Sequence, residues 1–333
     1  MALWTEIDPA ALTGFAREAI LDAVKGNDGQ PDPLVNVLPF VEQAGTTFEF
    51  MRGANGNAPL ASWRAFDAEP AHVSGIDGER VIAPMAALSL QTAISEADQL
   101  RLRTAGEEVR QAVAQNAAGN AARGIVARTR MAQGEVLATG KFVARGSDGF
   151  KSSVDFGRAA NLTATAGNLW SAAEAKPLDD LRAHAELIES EGGLMPSRIL
   201  LSRKALNLLL NSAQVRAEMG VQRPVQLAEL QGQLGALGLP SISVYEGRTR
   251  EGRVLAEDTV VFAAGDGEAG ATVFGQTLAS TLPDYGLAAV EQPGVVVAAF
   301  VNEGIPPVIH IYGDALVLPV LTQPNATGAL KVL

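Results

Sequence analysis

The sequence predicts a mixed α+β chain that does not close into a globule by itself. Three observations carry this. A proline-free stretch from Glu96 to about Gln133 reads as one long helix with only a thin stripe of alanines, six apolar strand-like runs crowd the chain after residue 240, and an excursion at 42–84 carries aromatics with no partner inside its own segment.

The 333 residues, 47% of them hydrophobic, suffice for one large core or two medium ones. Acidic residues number 37 and basic ones 26, so the formal charge is −11 and the summed field opposes nucleic acid unless the basic residues gather on one face. A sequence-specific DNA binder is therefore not expected. The absence of cysteine rules out disulfides, thiolate nucleophiles and thiolate metal sites. The opening "MALWTEIDPAALTGFAREAI" carries Glu6 and Asp8 where a secretory signal is positive, so the chain reads as one that is not exported. Its longest apolar run, Val295 to Val301, is far short of the roughly 20 residues that cross a bilayer, so no membrane role is expected.

Taken in order, Asp8 and Pro9 start a helix whose Leu12, Phe15, Ala16, Ile20 and Val24 recur at helical spacing, and "GNDGQPDP" (26–33) reads as a loose tether behind it. In the excursion, Phe48 and Phe50 alternate along a strand, a Gly/Asn-rich tip follows, and Trp63 and Phe66 mark a second strand-like stretch. An isolated hairpin is marginal in water, so these aromatics are expected to be buried mainly against another subunit. Ser95 with Asp98 resembles a capping box opening the long helix, which at 1.5 Å per residue would span about 55 Å. Gly106, Gly119 and Gly124 interrupt it at roughly 1 kcal/mol each relative to alanine, which points to bending or close packing there. A hairpin at 139–158 turns at Gly146-Ser-Asp-Gly149. After it come helix 177–190 stopped by Gly192-Gly193, strand 198–201, helix 203–211 capped by Ser202, and helix 224–234. Strands are expected at 242–246, 259–264, 271–275, 295–300, 308–312 and 316–320.

Motifs that could carry chemistry are weak. "GDGEAG" (265–270) follows an apolar strand, as a dinucleotide-binding loop does, yet "ATVFG" after it reads as a strand where a helix should present its N-terminus to phosphates. It is read as a glycine hairpin between two strands. "GEVLATGKF" (134–142) has one residue too many between its glycines for a phosphate loop, and reads as a helix end and turn. His72, His184 and His310 are scattered, no zinc spacing occurs, and the pair Asp179-Asp180 sits in the first turn of a helix, where negative charge offsets the macrodipole. No residue stands out as a catalyst, metal ligand or cofactor contact.

The segment "VDFGRAANLTATAGNLWSAAEAKPLDDLRAHAELI" (154–188), with its V-D-F-G-R start, Trp170 and the L-D-D-L helix start at 178–181, resembles the lambda-type major capsid protein E family of tailed bacteriophages. "GLP" (238–240) and "ALVLPVL" (315–321) are similar to the wider Hong Kong 97 (HK97)-like capsid fold. The resemblance implies an N-terminal arm (1–41), an extended loop (42–86), a peripheral domain (87–176) with a spine helix at 96–133, an axial domain (177–300), and return strands (301–333) completing the peripheral domain. It implies a non-enzymatic, cofactor-free subunit that self-assembles into hexamers and pentamers around packaged double-stranded DNA, and a shell that expands from procapsid to mature head. Portal, scaffold and decoration proteins would be its partners, and the host cytoplasm its place of assembly. The extended-loop contacts would be Phe48, Phe50, Arg52, Trp63, Arg64 and Phe66. Some members of the wider fold crosslink through a lysine in that loop, whereas the lysines here are at 25, 141, 151, 176, 204 and 331, so no such crosslink is expected. Two alternatives stay open: an encapsulin-like nanocompartment shell, and a nucleotide-dependent α/β oxidoreductase using the loop Gly265 to Gly270.

Overall fold

The computed structural model describes residues 32–52, 79–103, 107–146, 151–278, 294–302 and 308–333. The expected helix at 9–24, the tip of the excursion with Trp63, Arg64 and Phe66, and Gly106 lie outside them.

Asp32 caps α1 (Pro33–Val37) by accepting from the Leu34 amide at 2.9 Å, and Pro33 supplies the fixed φ of a first helical residue. The chain then enters β1 (Phe40–Glu42), which pairs parallel with β13 (Gly270–Gly275). Leu34, Val37 and Leu38 are fully buried, so the expected arm (1–41) and tether (26–33) are corrected at their C-terminal ends. From Asp32 onward this segment belongs to the body, because its apolar residues have core to enter.

The base of the excursion is β2 (Thr47–Arg52) paired antiparallel with β3 (Glu79–Pro84), later in the chain than the partner expected near Trp63. β4 (Ala86–Ile94) leads to Ser95, whose hydroxyl donates to the Asp98 carboxylate and accepts from the Asp98 amide, the expected capping contact, at the start of α2 (Glu96–Arg103). The spine is α3 (Glu107–Thr139). It runs six residues past the expected end at 133 and stops where Gly140 adopts φ 72°. β5 (Lys141–Arg145) and β6 (Lys151–Asp155) then form the expected hairpin, and β7 (Thr163–Thr165) follows.

Pro177 opens α4 (Pro177–Gly192), which ends on Gly193 in the left-handed region, and Ser202 caps α5 (Arg203–Asn211) after β8 (Arg198–Leu201). A short α6 (Ala213–Glu218), absent from the sequence reading, precedes α7 (Leu227–Ala236). The remaining strands are β9 (Ser241–Val244), β10 (Arg248–Thr249), β11 (Gly252–Arg253), β12 (Thr259–Ala263), β14 (Val296–Asn302), β15 (Val308–Leu321) and β16 (Thr327–Lys331).

Two five-stranded sheets organise these elements. The first has the order β1-β13-β15-β14, with β4 also paired to β15, and the second β7-β16-β12-β8-β9. In the first sheet Ile309, Ile311, Gly313, Ala315 and Val317 alternate onto the α3 side. There they meet Ala114, Ala118, Ala121, Ala122 and Ile125, which corrects the stripe expected through Leu100, Val109, Val113, Ala117, Ala121 and Ile125: Leu100 and Val109 are exposed, Val113 and Ala117 are half-buried, and only Ala121 and Ile125 lie in the buried seam. Small residues let helix and sheet approach closely: a Cβ on Gly313 would lie 3.1 Å from the Ala121 methyl. The second sheet is covered on both faces. Ile199, Leu201 and Phe262 point to the α4–α7 helices, and Leu200, Val261 and Ala263 share a cluster with Val136 and Leu137 of α3. Such two-sided burial gives continuous apolar strands such as "RILL" and "TVVFA".

Three expectations are corrected by this topology. The runs 308–312 and 316–320 are one strand, because Gly313 and Asp314 continue the alternation. β12 and β13 do not form a hairpin: β12 pairs with β8 and β16, and β13 with β1 and β15. The expected divisions at 176/177 and 300/301 also cut across the sheets. β13 and β14 join the spine-helix sheet, while β7 and β16 join the second sheet. Sheet membership is fixed by pairing between distant strands, which no local stretch records.

Candidate assembly interface

The motif 154–158 builds the base on which the excursion stands. Phe156 is fully buried and packs on Phe50 with ring centroids 5.2 Å apart. The Gly157 amide donates to Asp155 Oδ1 at 2.9 Å. Arg158 then turns onto the end of α3, donating to the carbonyls of Leu137 at 2.7 Å and Ala138 at 2.8 Å and to Thr163 Oγ1 at 2.7 Å. Its cation thus serves the negative end of the spine helix. Burial lowers its pKa to about 10, with the Asp155 charge acting in the opposite direction. Trp170, the next residue of the motif, is buried and donates its indole N–H to Asp180 Oδ2 at 3.0 Å, so the tryptophan and the L-D-D-L helix start are brought together. Burial chiefly raises the Asp180 carboxyl above the ordinary carboxylate range.

On the excursion, Phe50 is 5% exposed and Phe48 is half-buried against the same core. For Phe50 the expected burial against another subunit is corrected: Phe156 and Val81 of its own chain cover it. The opposite face is open, with Ile82 62% exposed. Two cross-strand ion pairs, Arg52 with Glu79 and Arg80 with Glu49, hold the base. Arg52 also lines a cavity of about 530 Å³ with Lys141, Asp155 and Arg158. Lys141 Nζ lies 2.7 Å from Asp155 Oδ2.

Of the glycines singled out in the spine, Gly119 is buried and Gly124 lies under β4, where a Cβ would come within 2.7 Å of Leu90 Cδ2. The helix is continuous through both. Sequence reasoning missed Gly134, whose backbone lies against the Val254 carbonyl, and it missed Arg158 as the helix terminator. The available signal was an arginine directly after a glycine, with a hairpin separating it from a helix end.

The loop at 265–270 is a turn with the Glu268 amide bonded to the Gly265 carbonyl at 3.1 Å and both central residues at positive φ, Asp266 at 55° and Gly267 at 80°. Gly270 opens a strand, not a helix, and its α-hydrogen faces the Val320 carbonyl. The Gly267 amide donates to the Asn36 carbonyl. The glycines serve approach by this chain's own backbone, and the helix that would receive a pyrophosphate is missing. The oxidoreductase alternative falls with it. Among the described residues, no group of His, Asp and Glu could hold a metal ion, and no helix is long and apolar enough to cross a membrane.

A long helix backed by a first sheet, a second helix-covered sheet sharing its core, and a strand pair projecting from the base define the HK97-like fold, the class of viral capsid subunits. The chain belongs to the phage major capsid protein E family, whose model matches residues 24–332, and is a structural capsid protein. Its fold is similar to a prophage protein of Escherichia coli CFT073 described as a capsid protein, at 16% identity and TM-score 0.65, covering 98% of this chain and 99% of that one. It is also similar to a phage-related protein of Bordetella bronchiseptica RB50, at 12% identity and TM-score 0.58 over 96% and 95% of the two chains. A virus-like particle protein from Pyrococcus furiosus matches at 15% identity and TM-score 0.53 over 96% and 98%. A comparison with curated protein sequences finds no match.

Proposed function

We propose that this chain is the repeating subunit of an icosahedral phage head, assembling as hexamers and pentamers that enclose packaged double-stranded DNA. The observation that carries the reading is the family match over residues 24–332. The chain works by shape and contact, without catalysis. Portal, scaffold and decoration proteins are its partners in a head assembled in the host cytoplasm. The first sheet with α3 corresponds to the peripheral part and the second sheet with α4–α7 to the axial part. The segment before Asp32 is the arm. Phe48, Arg52, Trp63, Arg64 and Phe66 are the extended-loop residues assigned to contact with neighbouring subunits.

The test is electron microscopy of the expressed chain, and of particles from cells carrying its phage. Closed shells of uniform diameter with nuclease-protected double-stranded DNA are expected. A chain that stays monomeric at high concentration overturns the reading, and shells holding a protein cargo and no DNA replace it with a nanocompartment.

A further inference from the structure

Basic residues of this acidic chain gather on one face beside the spine helix. The hairpin β10–β11 with its turn, "EGRTREGR" (246–253), carries Arg248, Arg250 and Arg253, and Arg128 of α3 with Arg203 and Lys204 of α5 stand around it. Three carboxylates share the face, and each fastens the hairpin. Glu251 meets Arg128 at 2.7 Å, and Glu246 accepts from the Arg203 amide at 2.7 Å and from Arg253 at 2.8 Å. Glu257 lies 2.8 Å from Arg253 Nε and 4.0 Å from Lys204 Nζ. Six cations thus surround three acids, and Arg203, Lys204, Arg248 and Arg250 are exposed. Among the described residues, the side chains of Arg248 and Arg250 make no hydrogen bond or ion pair.

The formal charge of −11 on the whole chain does not cancel this local excess. Charges in water are screened beyond about 10 Å at 0.1 M salt, so a ligand at the hairpin meets the charge of the hairpin's own surroundings. Arginine forks match phosphate oxygens two at a time. The N-terminus of α5, the other anion-binding element here, is already taken by Glu246, which leaves binding to the side chains. Residues 246–253 include no aromatic on which an unpaired base could stack, and Tyr245 beside them is buried, so the surface suits the backbone of a duplex and reads no sequence.

We propose that the β10–β11 face binds the phosphate backbone of double-stranded DNA and is the part of the subunit turned towards the packaged genome. The second clause rests on the shell-building reading above, whereas the binding stands on the local charge alone.

The test is titration of a fluorescent DNA duplex of about 30 base pairs with the unassembled subunit, from about 20 to about 200 mM salt. Binding should weaken steeply as salt rises. Arg248→Gln with Arg250→Gln should lower the slope of log affinity against log salt by about 2, each single variant by about 1, and the pair should cut affinity at about 50 mM salt at least about tenfold. Lys176→Gln with Arg182→Gln removes the same charge at α4, which shares no ion pair with the hairpin, and should leave slope and affinity near wild type. Both pairs should melt within about 2 °C of wild type. A wild-type subunit that leaves the duplex unbound at the lowest salt overturns the proposal. So does an equal loss in the two pairs, which would make net charge the cause, and so does a subunit that takes poly-glutamate but not the duplex. Shells that hold no DNA, built from a subunit that binds the duplex as expected, overturn the genome-container reading and leave the phosphate site standing.

Discussion

The guanidinium of Arg158 ties three elements together, because its two donors at the end of α3 and one to Thr163 join helix, β6 and β7 in one contact. Hydrogen bonds from a charged group contribute about 1.5–3 kcal/mol each, and their loss leaves helix carbonyls unpaired. Arg158→Met should therefore destabilise the unassembled subunit by about 3 kcal/mol, measured by urea unfolding. Lysine at this position should recover little, since it lacks the fork. His184 makes a different prediction. It is buried on the Phe262 ring, its Nε2 has no partner, and burial first and the Arg158 charge second lower its pKa from 6.5 to about 4. The folded state therefore binds the proton less well than the unfolded chain. The stability it protects is fully present above pH 6.5 and is lost as pH falls towards 4, on the order of 3 kcal/mol over that interval. Urea unfolding at pH 7 and pH 5 should show a smaller loss in His184→Gln than in wild type. An equal loss in both would remove His184 as the cause.

At the scale of elements, the spine helix shows what its glycines do. Gly134→Ala sets a methyl against the Val254 carbonyl, backbone that cannot swing aside, and should cost about 1–3 kcal/mol despite alanine's better helix propensity. Gly124→Ala meets only the end of the half-exposed Leu90 side chain, which can turn away, and should be neutral or stabilising by up to about 1 kcal/mol. Thermal unfolding of the two variants separates close packing from simple helix weakness. The same contrast explains which elements were legible beforehand. α4 and α5 start where Pro177 and Ser202 say, and the hairpin β5–β6 where its glycines say, because caps and turns are local. The apolar stripe of the spine was legible only in part, since Ala121 and Ile125 lie in the buried seam whereas Leu100 and Val109 are exposed, and the worth of its small residues depends on Gly313 lying opposite. β15 was read as two strands because Gly313 and Asp314 break an apolar run without breaking a ladder. α6 gave no signal beyond its Ser212 cap.

At the scale of the molecule, α3 belongs to both layers: its middle lies under the first sheet, and Val136 and Leu137 near its end join the cluster beneath the second. With one core continuous between them, the two sheets should unfold together, so calorimetry of the unassembled subunit should show a single transition. Two resolved transitions would separate them. No lysine lies between residues 42 and 86, so particles assembled from this chain should run on denaturing electrophoresis without a ladder of covalent multimers. The sequence by itself determined the local grammar of this protein: the helix starts, the tight turns, the absence of thiol chemistry, and the motif from Val154 to Ile188 that points to its family. Only the tertiary structure decided that β12 and β13 part company at the Asp266 turn, that β16 returns to the second sheet, and that Phe50 is covered by Phe156. Caps and turns are set by neighbours a few residues apart, whereas sheet partners and burial depend on contacts between segments tens to hundreds of residues distant.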